Sequence, residues 1–227
     1  MANERIVDKS SYTKLKNLIL DRKIKHGQRM TEAFLSEQME LSRIPVREAI
    51  QLLVHEGFIE RTGKNGYMIK EYNEQDIIDL YSYREAMDGM LARLFTQRMD
   101  LSQLYFLEMN IERMHEQLNG EIVHAAFSKT DLDFHRYIAR GARNKYMEHQ
   151  HEIILEKVIF IADSIYETGK EGVKMLLDEH SYEETYNQHQ AIYTAIKERD
   201  LDKAEAAARD SVRNGLKKAL MTLSRMS

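Results

Sequence analysis

The chain has 227 residues, 43% hydrophobic and 31% charged, with a net charge of −4, a length that suits one large domain or two small ones. It has no cysteine, which excludes disulfides, zinc fingers and thiol catalysis together; any bound metal must use His, carboxylate or amide ligands. No apolar run reaches membrane-span length and none follows the charged start Met1 to Lys9, so the expectation is a cytoplasmic protein without membrane contact.

One proline, ten glycines and thirteen methionines point to a mostly helical chain. The charge is divided unevenly, +3 over residues 1–73 and −7 over residues 74–227. A small nucleic-acid-binding head on an acidic body would divide it this way, although charge alone does not establish one.

In the head, Tyr12, Leu15, Leu18 and Ile19 form one helical stripe, and Gly27 is a natural stop. Thr31 can cap a second helix through about Met39, with Phe34, Leu35 and Met39 inward. Ser42 can cap a third, with Pro45, the only proline, in its first turn, where a missing N–H costs nothing. Val46, Ile50, Leu53 and Val54 give that helix an apolar face; Arg43, Arg47 and Gln51 recur every four residues on another. It ends near Gly57. Phe58 to Arg61 and Tyr67 to Lys70 then read as two short strands joined by the polar turn Thr62-Gly63-Lys64-Asn65-Gly66. Three helices and a hairpin is the order of a winged helix-turn-helix. Such a third helix presents its first turn to DNA, where Arg43 and Arg47 can reach guanine edges or phosphates. Ser42 and the helix-start amides suit a phosphate, and Lys64 can enter the minor groove or grip the backbone. The alternative is a helix whose arginines only face water.

The body shows no strand pattern and no repeat, and reads as an all-α helical bundle. Asn73 can cap a helix to about Met99 with Ile77, Leu80, Tyr81, Met87, Leu91, Leu94 and Phe95 in one stripe. Arg84 and Asp88 sit on that stripe too. Either they pair at i,i+4 or they face an internal cavity. Further helices run from Asp100 to Asn119, from about Ile122 to Arg140 with Gly141 as breaker, and from Asn144 onward; Thr168 to Gly172 is a loop. Ser181 to Glu198 and Leu201 to about Leu223 are the last two. Asp131 and His135 lie one turn apart on one face and can reach a single metal, and His189 sits at the centre of the Ser181 helix. Each is otherwise a hydrogen-bonded core residue. Glu112 and His115 lack the second motif of a di-iron site, and His149 and His151 are expected at the surface.

Tyr12, Leu15, Ile19, Gly27, Thr31-Glu32, Leu35-Ser36, the run Ser42-Arg43-Ile44-Pro45-Val46-Arg47-Glu48-Ala49-Ile50, then Leu53, Glu56-Gly57 and the Gly66 hairpin resemble the DNA-binding head of GntR-family bacterial transcription regulators. The resemblance implies a winged helix that binds a palindromic operator as a homodimer, with Arg43 and Arg47 on DNA and the wing tip, Thr62, Gly63, Lys64 and Asn65, in the minor groove. Ile44 stands where many members have threonine, so a hydroxyl contact is absent there.

Asp131-Leu132-Asp133-Phe134-His135, Gly141 with Asn144, and His189 with Ala195-Ile196, Asp200 and Ala204 resemble the FadR C-terminal (FCD) effector domain, and Arg84 with Asp88 matches its first helix. That resemblance implies domains at 1–72 and 73–227, the second for effector binding and dimerisation. It also implies a divalent metal held by one Asp and three His, helping to bind a small carboxylate effector near Arg84, Asp88, Asn144 and Ser211. Asp131, His135 and His189 match three ligand positions. The fourth falls on Ser211, a departure that leaves Asn214 or a water as substitute. Such ligands suit Zn, Ni or Mn; no organic cofactor is expected. The reading is a ligand-responsive regulator, a repressor rather than an enzyme. Its rivals are a metalloenzyme built on Asp131, His135 and His189 and a sequence-indifferent architectural DNA binder.

Overall fold

The computed structural model describes residues 9–21, 23, 24, 27–64, 66–120, 122–168 and 179–224. The chain divides into two compact units, 1–72 and 73–227.

The first unit is built on three helices, α1 (Lys9–Leu20), α2 (Glu32–Met39) and α3 (Arg43–Glu56), and a two-stranded antiparallel hairpin, β1 (Ile59–Thr62) and β2 (Gly66–Ile69). Leu15, Ile19, Leu35, Met39, Ile50, Leu53 and Phe58 are fully buried between them. Thr31 caps α2, its hydroxyl accepting from Phe34 N at 3.1 Å. Gly57 ends α3 at φ 82°, in the left-handed region that a side chain resists. Ser42 occupies the N-cap position of α3 but makes no side-chain capping bond. The strands pair from Ile59↔Ile69 to Thr62↔Gly66, and Gly63, at φ 62°, and Lys64 lead out of β1 into the turn. Asn65 lies outside the described residues. Met30 adds an isolated antiparallel bridge to β2, exchanging both backbone bonds with Tyr67 at 2.8 and 2.9 Å.

The second unit is helical throughout its described residues: α4 (Glu74–Arg98), α5 (Leu101–Asn119), α6 (His124–Gly141), α7 (Lys145–Thr168), α8 (Glu179–Lys197) and α9 (Leu201–Ser224). Capping boxes open α4, between Asn73 and Asp76, and α5, between Asp100 and Gln103. α6 ends at Gly141, where the sequence placed its stop. A Cβ there would lie 2.3 Å from the Phe95 ring, so its smallness serves the packing of α6 on α4. The reversal falls at Arg143, φ 52°. Residues 169–178, which include most of the expected 168–172 loop, lie outside the described residues. α4 packs against α6, α7, α8 and α9, so its inward side chains meet residues from four helices.

Candidate functional site

Two places in the molecule carry chemistry. The first is the outer face of α3. Its inner face buries Val46, Ala49, Ile50 and Leu53, which leaves Ser42, Arg43, Ile44 and Arg47 exposed around the first turn. Arg47 is not free. Its Nε and Nη2 donate to the two Glu32 oxygens at 2.8 and 2.7 Å, a fork-to-fork pair between α3 and α2. The Arg47 bond holds the Glu32 carboxyl below its usual range. Gln51 is held too, its Oε1 accepting from Arg61 of β1.

At the wing, Gly63 and Lys64 form the turn. Thr62 Oγ1 is buried without a hydrogen-bond partner and sits 2.6 Å from where a Gly66 Cβ would stand. That oxygen therefore lines the inside of the hairpin turn. Arg29, which the motif reading passed over, lies across the same turn, with Nε 2.7 Å from that Gly66 position and Nη2 3.9 Å from the Gly63 one. Its place in the segment before α2 carries no periodic signal; the Met30–Tyr67 bridge brings it there.

The second place is a polar cluster inside the bundle. Of the two arrangements left open for Arg84 and Asp88, the pair is formed. They pair at 3.0 Å, and Asp88 also lines a small cavity of about 10 Å³ beside His135 and His151, with Leu91, Ile138 and Ile192 in its wall. That is room for about one water. Arg84 Nη2 lies 3.2 Å from His135 Nε2. Asp131 Oδ1 is 2.9 Å from His189 Nε2 and 3.8 Å from His135 Nε2. His151 corrects the surface expectation: it is 2% exposed, with Nε2 3.1 Å from Asp88 Oδ1. Its neighbour His149 is exposed. The signal was present, since His151, Ile154, Leu155 and Val158 share one buried helical stripe.

The electrostatics follow from burial. Burial alone would raise the Asp131 carboxyl, but His189, His135 and Arg84 outweigh it and hold it at about 2. Burial and then the Arg84 charge push His135 down to about 3, so its ring is neutral. Burial opposes the charge on Asp88, yet Arg84 and His151 keep that carboxyl well below the carboxylate range. Asp88 is buried and the Asp131 side chain is 31% exposed, and these two carboxylates against one guanidinium leave one negative charge to be balanced.

The residues fit a divalent cation. His189 Nδ1 lies 2.7 Å from the Thr185 carbonyl and must donate to it. In the neutral ring Nε2 then carries a lone pair, and it has no hydrogen-bond partner although Asp131 Oδ1 is 2.9 Å away. Two acceptors at that distance need a cation or a second ring proton between them. Asp131, His135 and His189 are the one metal-capable group among the described residues. Ser211 is buried, but its hydroxyl donates to Gln188 Oε1 at 3.3 Å. Asn214 is half-buried on the same helix. Asn144 is committed elsewhere: its side-chain oxygen accepts from Tyr146 N and Met147 N, both at 3.3 Å, as the cap of α7.

A winged helix-turn-helix followed by a helical bundle is the architecture of a DNA-binding transcription regulator. Residues 9–69 match the bacterial regulatory proteins of the gntR family, and residues 79–214 match the FCD domain. The chain belongs to the gntR family and carries an FCD domain; it is a transcription regulator and not an enzyme. It is 24% identical over 169 residues to the uncharacterized HTH-type transcriptional regulator YdhC of Bacillus subtilis (strain 168), covering 74% of this chain and 75% of that one. It is 23% identical over 222 residues to the HTH-type transcriptional repressor GlaR of Escherichia coli (strain K12), covering 90% and 91%. It is 22% identical over 216 residues to the galactonate operon transcriptional repressor of the same organism, covering 84% and 89%. In fold it is similar to E. coli McbR/YncC, with a TM-score of 0.73 over 94% of this chain and 96% of that one at 15% identity. No helix among the described residues is long and apolar enough to cross a membrane.

Proposed function

We propose that this regulator is a cytoplasmic repressor of the FadR subfamily that binds a palindromic operator as a homodimer and is released by a small carboxylate effector. The exposed first turn of α3, with Arg43 and the Glu32-held Arg47, carries the DNA half of the reading. Ser42, whose hydroxyl caps nothing, is suited to a phosphate. Lys64 and Arg29 at the wing supply salt-sensitive backbone binding, with Gly63 allowing the tight turn. Gln51, Ile44 and Arg43 complete the groove-facing set. The repressor sign is drawn from relatives of that name, and the carboxylate class is in keeping with a relative named for galactonate.

The effector half rests on the buried cluster. Arg84 is the one guanidinium beside it. Asp131, His135 and His189 would hold Zn, Ni or Mn, with Ser211 or Asn214 contributing directly or through water. The metal would supply Lewis acidity toward an effector oxygen. Around it the chain's own groups orient: Thr185 fixes the His189 ring, Asp88 holds Arg84, and His151 holds Asp88. The cavity of about 10 Å³ admits no organic acid as it stands, so binding requires α4 and its neighbours to part. An effector that binds the parted form better would change the dimer arrangement and lower operator affinity.

The test is selection of duplexes from a random pool, followed by titration of the selected operator with small carboxylates in the presence and absence of Zn, Ni and Mn. A two-fold-symmetric site whose affinity falls with one acid class supports the proposal. No preference over random duplex would favour an architectural DNA binder.

A further inference from the structure

The first turn of α3 displays an apolar side chain that the fold does not use. Ile44 is 71% exposed, the one large hydrophobic side chain of the first unit left on the surface among its described residues. Helical spacing sets it three residues before Arg47 and seven before Gln51, on the stripe opposite Val46, Ala49, Ile50 and Leu53.

The polar members of that stripe are already oriented. Arg47 has given its Nε and one Nη2 hydrogen to Glu32, so the Nη1 end of the guanidinium is what remains to be offered. Gln51 has its carbonyl accepting from Arg61, which turns the amide hydrogens outward. Both side chains therefore address acceptors, such as guanine N7 and O6 or phosphate oxygens. Neither accounts for an isoleucine between them and the helix start. A major groove shows one apolar group, the 5-methyl of thymine. A β-branched side chain is stiff about χ1, so little freedom is lost when it is packed.

We propose that Ile44 is a specificity-determining residue that packs on the 5-methyl of a thymine in the same half-site as the base addressed by Arg47. The inference rests on the DNA-reading role proposed for α3 and deepens it.

Deoxyuridine tests it, because it keeps the pairing and the O4 acceptor of thymine and lacks only the methyl. Each thymine of an operator selected with the full chain is replaced in turn, and affinity is measured for the wild type and for Ile44→Ala. The exposed position makes Ile44→Ala a folded variant, checked by its thermal melt. The expected result is one thymine per half-site whose replacement weakens wild-type binding about fourfold, the worth of one buried methyl, with Ile44→Ala binding both duplexes alike. No methyl-sensitive thymine, or an equal methyl effect in Ile44→Ala, overturns the inference while leaving the regulator reading intact. Failure to prefer any duplex overturns both.

Discussion

Arg84 donates through Nη2 to Nε2 of His135 at 3.2 Å, while its Nε holds Asp88 at 3.0 Å. An arginine is never an acceptor, so His135 must offer the lone pair of Nε2 and carry its proton on Nδ1. The same lone pair is the one a cation shared with Asp131 and His189 would need. Arg84 and a metal on that nitrogen therefore exclude one another, and metal uptake would release an Arg84 hydrogen toward an effector carboxylate. Removing the arginine leaves Asp88 charged in the bundle interior. Arg84→Ala is expected to cost about 3–5 kcal/mol of stability. The Arg84→Ala/Asp88→Ala pair should cost less than the sum of its members, as read from a urea-unfolding double-mutant cycle.

Metal-free chain titrated with zinc should take up about one equivalent. His135→Ala and His189→Ala should each weaken uptake by at least about tenfold, the scale on which even outer-shell changes act. If the wild type takes up none, the cluster is not a metal site.

The neutral state of His135 has a pH signature. Its folded pKa, about 3, lies below the ordinary histidine value of 6.5. Between those values the unfolded chain binds the proton and the folded one does not, so stability rises with pH. It should be fully present above about pH 6.5 and be lost as pH falls toward 3, by up to about 1.4 kcal/mol per pH unit. Urea unfolding of the chain at pH 7 and pH 5 measures this, and His135→Gln should flatten the slope.

His149 and His151 make a paired comparison on one helix. His151→Ala leaves the Asp88 Oδ1 edge without its imidazole and should cost about 1–3 kcal/mol. His149→Ala, at an exposed position, should stay within about 0.5 kcal/mol. Thermal melts of the two variants decide it; equal losses would show that the Asp88–His151 contact carries no weight.

The Glu32–Arg47 pair should matter to recognition more than to stability. Its arginine is exposed, so Glu32→Gln is expected to change stability by less than about 1 kcal/mol. Arg47→Ala should weaken operator binding by about 1–3 kcal/mol and relax one base position. Glu32→Gln should relax that same position while keeping affinity for random duplex, because it frees the guanidinium without removing its charge. Competition binding against single-base operator variants reads both.

Much of the fold was legible from local signals. Gly57 and the caps at Thr31, Asn73 and Asp100 stand at helix ends, because capping needs only neighbouring residues. The wing was legible from two short β-rich runs around a glycine turn. The isolated bridge at Met30 was not, since its partner Tyr67 lies far along the chain. Gly141 was legible as the end of α6, but not its second service, since its smallness also answers to Phe95 of another helix.

The sequence by itself determined the residue types available to each site: arginines on one face of α3, an Asp and a His one turn apart on α6, and an Arg and an Asp one turn apart on α4. Periodicity places such residues on a face because the helix repeat is a property of the backbone. Only the tertiary structure decided which faces meet. It set His151 against Asp88, tied Arg47 to Glu32 and Gln51 to Arg61, and turned Ser211 toward Gln188. Those pairings follow from how buried charges and donors find partners across packed helices, and no spacing within a single helix encodes them.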